Sequence, residues 1–282
     1  MRWLVTGARG MLGQDLVSAL EPGGHDVTAV DKDELDITDP TAVSVAVAGH
    51  DVVVNCAAYT AVDVAEEHED AAFAVNAVGA AFLARAAAGR GARLVHISTD
   101  YVFGGDATDP YAETAPAAPR STYGRTKVAG EWAVRAEAPD HLIVRTAWLY
   151  GAGGPCFPRT IARVARERGG VDVITDQIGQ LTWTVDLADL VLRLVVARAP
   201  SGTYHGTSSG SASWFDFARA VVASAGMDPS AVRPTTSEAF VRPAHRPAYS
   251  VLGHHALLGA GVAPIGDWAA RWAAASSRVL HG

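Results

Sequence analysis

The first thirteen residues constrain this chain more than any other stretch. An apolar run, Trp3–Thr6, breaks into Gly7-Ala8-Arg9-Gly10-Met11-Leu12-Gly13, and a helix-like segment, Leu12–Leu20, comes at once after it. The three glycines have different uses. Gly7 permits a tight turn after the strand, Gly10 lets backbone approach a pyrophosphate, and Gly13 lets the helix pack closely on the sheet. The helix start offers free N–H groups and the positive end of its dipole, with Met11 and Leu12 at that start. Strand, glycine turn and helix in this order separate a dinucleotide site from a common turn.

The alternation continues downstream. Strand-like runs at Val27–Val30, Val52–Cys56, Arg93–Ser98, Leu142–Thr146 and Val171–Thr175 are mostly continuous in their apolar residues. Such runs suit parallel strands buried on both faces. Helix-like segments at Thr41–Ala48, Ala71–Ala88, Tyr123–Ala136 and Phe157–Arg168 separate them. The expected fold is therefore α/β, a Rossmann-like doubly wound parallel sheet. The rhythm changes at the Gly- and Pro-rich loop Gly151–Pro155. Residues 1–150 are expected to form the dinucleotide-binding domain. Residues 151–282 are expected to form mainly a smaller substrate-binding lobe, with some segments returning to the sheet. That lobe has helix-like segments near Val185–Ala197, Trp214–Ala225 and Gly266–Val279.

Composition narrows the partners. A net charge of −7 spread along the chain argues against nucleic acid, which needs a basic face. The two cysteines, Cys56 and Cys156, form neither a disulfide framework nor a zinc pattern. No signal-peptide layout opens the chain, and no apolar run approaches the roughly 18–20 residues of a membrane span. The expectation is a cytoplasmic protein with no membrane partner.

Two features concern the choice of dinucleotide. Asp31 follows the second strand and suits a ribose 2′-hydroxyl, which favours NAD. Arg9 and Lys32 suit a 2′-phosphate. The expectation is NADPH with NADH also accepted. Asp36-Ile37 comes after a short turn, where the acid either meets the adenine amino group or caps the helix after Pro40.

Ser121-Thr122-Tyr123-Gly124-Arg125-Thr126-Lys127 places Tyr123 and Lys127 four apart, on one face of a helix. An ammonium beside a phenol favours the phenolate and lowers its pKa from roughly 10. Tyr123 would give a proton to a ketone oxygen while a nicotinamide delivers hydride to its carbon. Seven tyrosines and only two lysines, Lys32 and Lys127, would produce this spacing by chance in roughly one such chain in twenty. A third group stands upstream, at the end of His96-Ile97-Ser98-Thr99-Asp100-Tyr101. Thr99 is the expected hydroxyl on the substrate carbonyl, with Ser98 the alternative. Asp100 and Tyr101 are placed to meet substrate hydroxyls, or to serve turn chemistry.

These segments resemble the dTDP-4-dehydrorhamnose reductase family of the extended short-chain dehydrogenase/reductases. The resemblance lies in Ser98–Phe103, Tyr123–Glu131, Arg145–Gly151, Asn55–Asp63, Asp176–Gly179 and Arg246–Leu252, in preserved order. It implies reduction of the 4-keto group of a dTDP-linked 4-keto-6-deoxyhexose. Thr99, Tyr123 and Lys127 match the catalytic group. Gly10, Met11 and Leu12 match the pyrophosphate turn, Asp36 and Ile37 the adenine side, and Ala57, Ala58 and Tyr59 a cofactor-lining strand end. Thr99, Asp100 and Trp148 match substrate contacts, and an indole suits the C–H face of a sugar. The chain departs from the family at Tyr59, often His, at Leu181, usually Pro, and at Tyr249, commonly Asn, so the exact sugar stays open. Some members hold Mg²⁺ through acids at a dimer contact. Asp15 and Asp186 fall near comparable positions, but two acids are too few for a site, and no metal ligands are assigned. A homodimer is compatible with the resemblance. Two other readings stay open: a nucleotide-sugar epimerase or dehydratase, and an idle regulatory subunit. Against the dehydratase, Asp100 is followed by Tyr101 and not by a second carboxylate.

Overall fold

A computed structural model describes residues 1–282. Six parallel strands form the central sheet: β1 (Arg2–Thr6), β2 (Asp26–Val30), β3 (Val52–Asn55), β4 (Arg93–Thr99), β5 (His141–Thr146) and β6 (Gly202–His205). Their order across the sheet is β6-β5-β4-β3-β1-β2. Every residue of β3 is buried, as its unbroken Val52-Val53-Val54 run requires. β2 is an edge strand, and its side chains are correspondingly more exposed.

Helices cover both faces. On one side α1 (Met11–Leu20) and α6 (Thr184–Val196) pack Leu12, Leu16, Leu187 and Val191 against Trp3, Val5, Val54 and Val144. On the other lie α2 (Pro40–Val47), α3 (Glu69–Arg90) and α4 (Thr122–Glu137), which close over Leu4, Val53, Leu94 and Ile143. The remaining long helices are α5 (Phe157–Arg168), α7 (Trp214–Ser224) and α8 (Trp268–His281). These three build a separate core with Tyr150, Ile161, Trp183, Phe217 and Trp272.

The strand order reverses between β1 and β3, because the chain leaves β1 for β2 on one side and returns to β3 on the other. That switch point opens a crevice beyond the carboxyl ends of the strands, where ligands of such sheets sit.

The doubly wound parallel sheet matches the sequence expectation, with three differences. Val171–Ile174 is a strand, but it pairs with Val232–Thr235 outside the main sheet. The sixth sheet strand is instead β6, alongside β5. Its Gly-Thr-Tyr-His sequence is short and half polar, so it lacks the apolar signature of its neighbours. The third difference concerns α3. Its 22 residues, with a mean hydropathy of 1.5, are long and apolar enough to cross a membrane by length and composition alone. The alanines that raise this value are small residues for close packing: Ala80, Ala84 and Ala87 are fully buried against the sheet, with Leu83 beside them.

Candidate functional site

Local structure fixes each wall of the crevice. Gly7 sits at φ 67°, in the left-handed region. A Cβ there would lie 2.7 Å from the Ala57 nitrogen, so the turn and its approach to the β3 exit both need glycine. A Cβ on Gly13 would strike the Gly7 carbonyl and Ala8. α1 begins after Gly10 with no side-chain cap and no acid in its first turn. Its N–H groups therefore face the crevice without competition. This cradle fits the pyrophosphate of a dinucleotide.

On the far wall, the Ser121 hydroxyl accepts the Gly124 N–H at 3.1 Å and caps α4. The cap starts the helix at Thr122 and sets Tyr123 in its first turn. One turn on, the buried Lys127 donates from Nζ to the Ile97 carbonyl at 2.6 Å. A further turn on, the buried Glu131 accepts from Ser98 Oγ at 2.7 Å and from Arg145 at 2.7 and 2.8 Å. Three successive turns of α4 thus hold the end of β4. The Ser98 hydroxyl is committed to Glu131. Thr99 is one residue farther along, where its hydroxyl donates to Asp100 Oδ1 at 3.0 Å and accepts the Tyr101 N–H.

The result is a cleft of about 490 Å³. It brings together Gly7, Gly10, Met11, Leu12, Gly13, Ala58, Thr99, Asp100, Tyr101, Tyr123, Lys127 and Trp148. Five expected residues stand outside its lining. Asp31 lies in the neighbouring hollow with Arg9 and Glu34. Asp36 accepts from the Thr38 N–H and hydroxyl at 2.9 and 2.7 Å. The helix after Pro40 is capped by Asp39 instead. Ile37 is buried against Gly79. Ala57 donates to Asn55, and Tyr59 is bonded through its backbone to the Asn76 amide at 2.8 and 3.1 Å.

Burial dominates the electrostatics. It pushes Tyr123 up to about 12, partly opposed by the neighbouring Thr99 hydroxyl. The expected lowering by Lys127 does not appear: burial and the charge of Asp100 raise the phenol, while Lys127 donates to the Ile97 carbonyl. Tyr123 is a neutral phenol. Burial also pulls Lys127 down to about 8, against the attraction of Glu131. Asp100 is raised to about 6 by burial, which outweighs the lowering by Ser250 and Thr99. Burial pushes Glu131 up as well, but hydrogen bonds and charge from Arg145, the Ser98 hydroxyl and Arg135 prevail and hold it at about 2.

Residues the sequence did not single out complete the walls. Trp214, the first residue of α7, stacks on Trp148 with ring centroids 3.7 Å apart and planes 8° from parallel. Trp148 has a left-handed backbone, φ 45°, a strained geometry for a bulky residue. One face of its indole is covered by Trp214, and Gly179 abuts it so closely that a Cβ would fall 2.6 Å from Cε2. Trp214 also lines a second cavity of about 330 Å³, with Phe157, Ile161, Phe240, Arg242 and Arg246. Its one sequence signal is an aromatic directly after the capping Ser213, which says nothing about a partner 66 residues away.

The acids near the comparable metal positions are engaged elsewhere. Asp15 accepts from Arg278 at 2.9 Å and from Thr184 at 2.6 Å. Asp186 forms a two-pronged pair with Arg271. No group of three or more His, Cys, Asp or Glu side chains stands together.

The chain's similarity to known proteins runs along its whole length. The family described as the RmlD substrate binding domain matches residues 1–280. The dTDP-4-keto-6-deoxy-D-glucose reductase of Streptomyces niveus is 50% identical over 270 residues, 95% of this chain and 93% of that one. The dTDP-4-dehydrorhamnose reductase of Streptomyces griseus is 50% identical over 276 residues, 95% of this chain and 91% of that one. The crystal structure of dTDP-4-dehydrorhamnose reductase from Bacillus anthracis in complex with NADP superposes with a TM-score of 0.94 at 39% identity, covering 97% of this chain and 98% of that one. With its glycine cradle, its Tyr123/Lys127 helix and this end-to-end similarity, the chain belongs to the dTDP-4-dehydrorhamnose reductase family.

Proposed function

We propose that this chain reduces the 4-keto group of a dTDP-linked 4-keto-6-deoxyhexose, using NADPH with NADH also accepted. The observation that carries the reading is convergence. Thr99, Tyr123 and Lys127 line one cleft, across from the open N-terminus of α1. The named activities of the relatives support the substrate class.

When bound, the reduced dinucleotide supplies the hydride that C4 receives. The carbonyl π pair moves onto O4, which takes the proton of Tyr123. A phenol held up at about 12 is fully protonated at neutral pH, as a proton donor must be. The Thr99 hydroxyl, already at the strand end, turns from Asp100 to the same oxygen and stabilises its developing charge. Lys127 keeps its ammonium close to the resulting phenolate and holds the nicotinamide ribose. The N–H groups at Met11 and Leu12 bind the pyrophosphate over Gly7, Gly10 and Gly13. Asp31, Asp36 and Ile37 frame the adenosine, and Ala57, Ala58 and Tyr59 its path along β3. Asp100, Tyr101 and Trp148 hold the sugar. The second cavity continues past Trp214, and its aromatic walls and two guanidinium groups suit a base and a diphosphate. In this scheme residues 1–150 hold the dinucleotide and residues 151–282 mainly hold the sugar nucleotide.

The test is Tyr123→Phe in a dinucleotide-oxidation assay against a panel of dTDP-4-keto-6-deoxyhexoses. Product configuration is read by NMR. Turnover should fall by about 10²- to 10⁴-fold while dinucleotide affinity holds. Near-normal turnover would refute the assignment.

A further inference from the structure

The hollow at the end of β2 bears on which dinucleotide is preferred, and its role rests on the proposed binding of a dinucleotide over α1. Asp31 is held in place by two backbone groups. Its Oδ2 accepts the Arg9 N–H and its Oδ1 the Lys32 N–H, both at 2.8 Å. With the pyrophosphate on α1, the adenosine ribose falls beside this carboxylate. A carboxylate accepts hydroxyl donors and repels a phosphate.

The one guanidinium in the hollow is Arg9. It reaches Asp33 Oδ2 at 2.8 Å and Glu34 Oε2 at 3.2 Å, and its Nε stands 4.0 Å from Asp31. Glu34 Oε2 also accepts the Asp31 N–H at 2.9 Å, so that carboxylate fastens the loop as well. Asp33 has no such second duty and is largely exposed. Three carboxylates, Asp31, Asp33 and Glu34, therefore surround the single Arg9 guanidinium. The hollow is negative before any 2′-phosphate arrives with a further charge of about −1.5 to −2.

We infer that Asp33 and Glu34 determine the ratio of NADPH to NADH affinity by holding Arg9 away from the ribose 2′ position. Arg9 must leave both carboxylates to meet a 2′-phosphate. It need not move for a 2′-hydroxyl, which Asp31 accepts. Exposed ion pairs are individually weak, so Arg9 exchanges between the two arrangements. Both dinucleotides are then accommodated, and the two acids set how far NADPH is favoured. Removing the Asp33 charge frees Arg9 and lifts one repulsion. For a screened pair at the surface this amounts to about two- to tenfold in affinity.

The test is direct binding, read from quenching of protein fluorescence at fixed ionic strength, with NADPH and NADH titrated separately. Asp33→Asn should tighten NADPH by about two- to tenfold and move NADH by less than about twofold. Arg9→Gln should weaken NADPH by more than it weakens NADH. Equal shifts of both dissociation constants in Asp33→Asn, or no shift in either, would overturn the inference. So would an unchanged ratio in Arg9→Gln. An unaltered protein that binds both dinucleotides, with a ratio that neither variant moves, sinks this inference alone. One that binds neither sinks the functional reading with it.

Discussion

Lys127 predicts that stability and cofactor-dependent activity will move in opposite directions as the pH is raised. Its side chain is almost fully buried, and burial takes it from an ordinary 10.5 down to about 8. In the unfolded chain it regains the ordinary value. Below about pH 8 the lysine is charged in both states, and the folded state bears the full cost of burying an ammonium. Between about 8 and 10.5 the folded protein gives up a proton that the unfolded chain keeps. The unfolded state then binds more protons, so stability rises with pH across this window. The span corresponds to about 3 kcal/mol at roughly 1.4 kcal/mol per pH unit. The comparison protein is Lys127→Met, which keeps the stem and removes the titration. Urea unfolding of both proteins from pH 7 to 10.5 should show their difference in stability flat to about 8. It should then shift by about 3 kcal/mol in favour of the unaltered protein. Over the same window, dinucleotide binding by the unaltered protein should weaken, because the ammonium proposed to hold the ribose is lost. A stability difference that stays flat to pH 10.5, or moves in the opposite sense, would refute the reasoning.

Two other perturbations test the walls of the cleft. Glu131→Gln leaves Arg145 buried with its charge uncompensated and should cost about 3–5 kcal/mol in urea unfolding, with much of it recovered in Glu131→Gln/Arg145→Met; a loss under about 1 kcal/mol would mean the pair is solvated. Gly179→Ala puts a methyl 2.6 Å from the Trp148 indole, so sugar-nucleotide binding should weaken at least about tenfold while dinucleotide binding changes little, as read by separate titrations.

The parts of this site that could be read in the sequence are those fixed by local constraints. Gly7 needs its positive φ and Gly13 its missing Cβ whatever the rest of the chain does. Ser121 caps α4 by accepting the Gly124 N–H, which fixes where the helix starts, and the four-residue spacing puts Tyr123 and Lys127 on one face. The sheet itself comes from unbroken apolar runs. Yet an apolar run states only that a segment is buried between layers and does not say which strand lies beside it. Val171–Ile174 has the signature and pairs with Val232–Thr235, whereas β6 lacks it and completes the main sheet.

What the sequence could not supply are quantities that exist only after packing. The charge of Lys127 is written in the sequence, but the desolvation that raises Tyr123 is not. The preference for Thr99 over Ser98 is expected from the sequence, but its physical basis is not. Both are hydroxyls at one strand end. The distinction comes from Glu131, 33 residues later, which takes the Ser98 hydroxyl from one wall of the fold. Thr99 is left as the strand-end hydroxyl next to Asp100. A buried ion pair that looks purely structural, Glu131 with Arg145, thereby decides which strand-end hydroxyl stays outside the core network. The same carboxylate acts on Lys127, one turn earlier on α4, and resists its loss of charge. The catalytic role proposed for Thr99 therefore depends on a carboxylate outside the proposed reacting group. That is why Glu131→Gln should disturb the pH dependence set by Lys127 as well as the stability of the core.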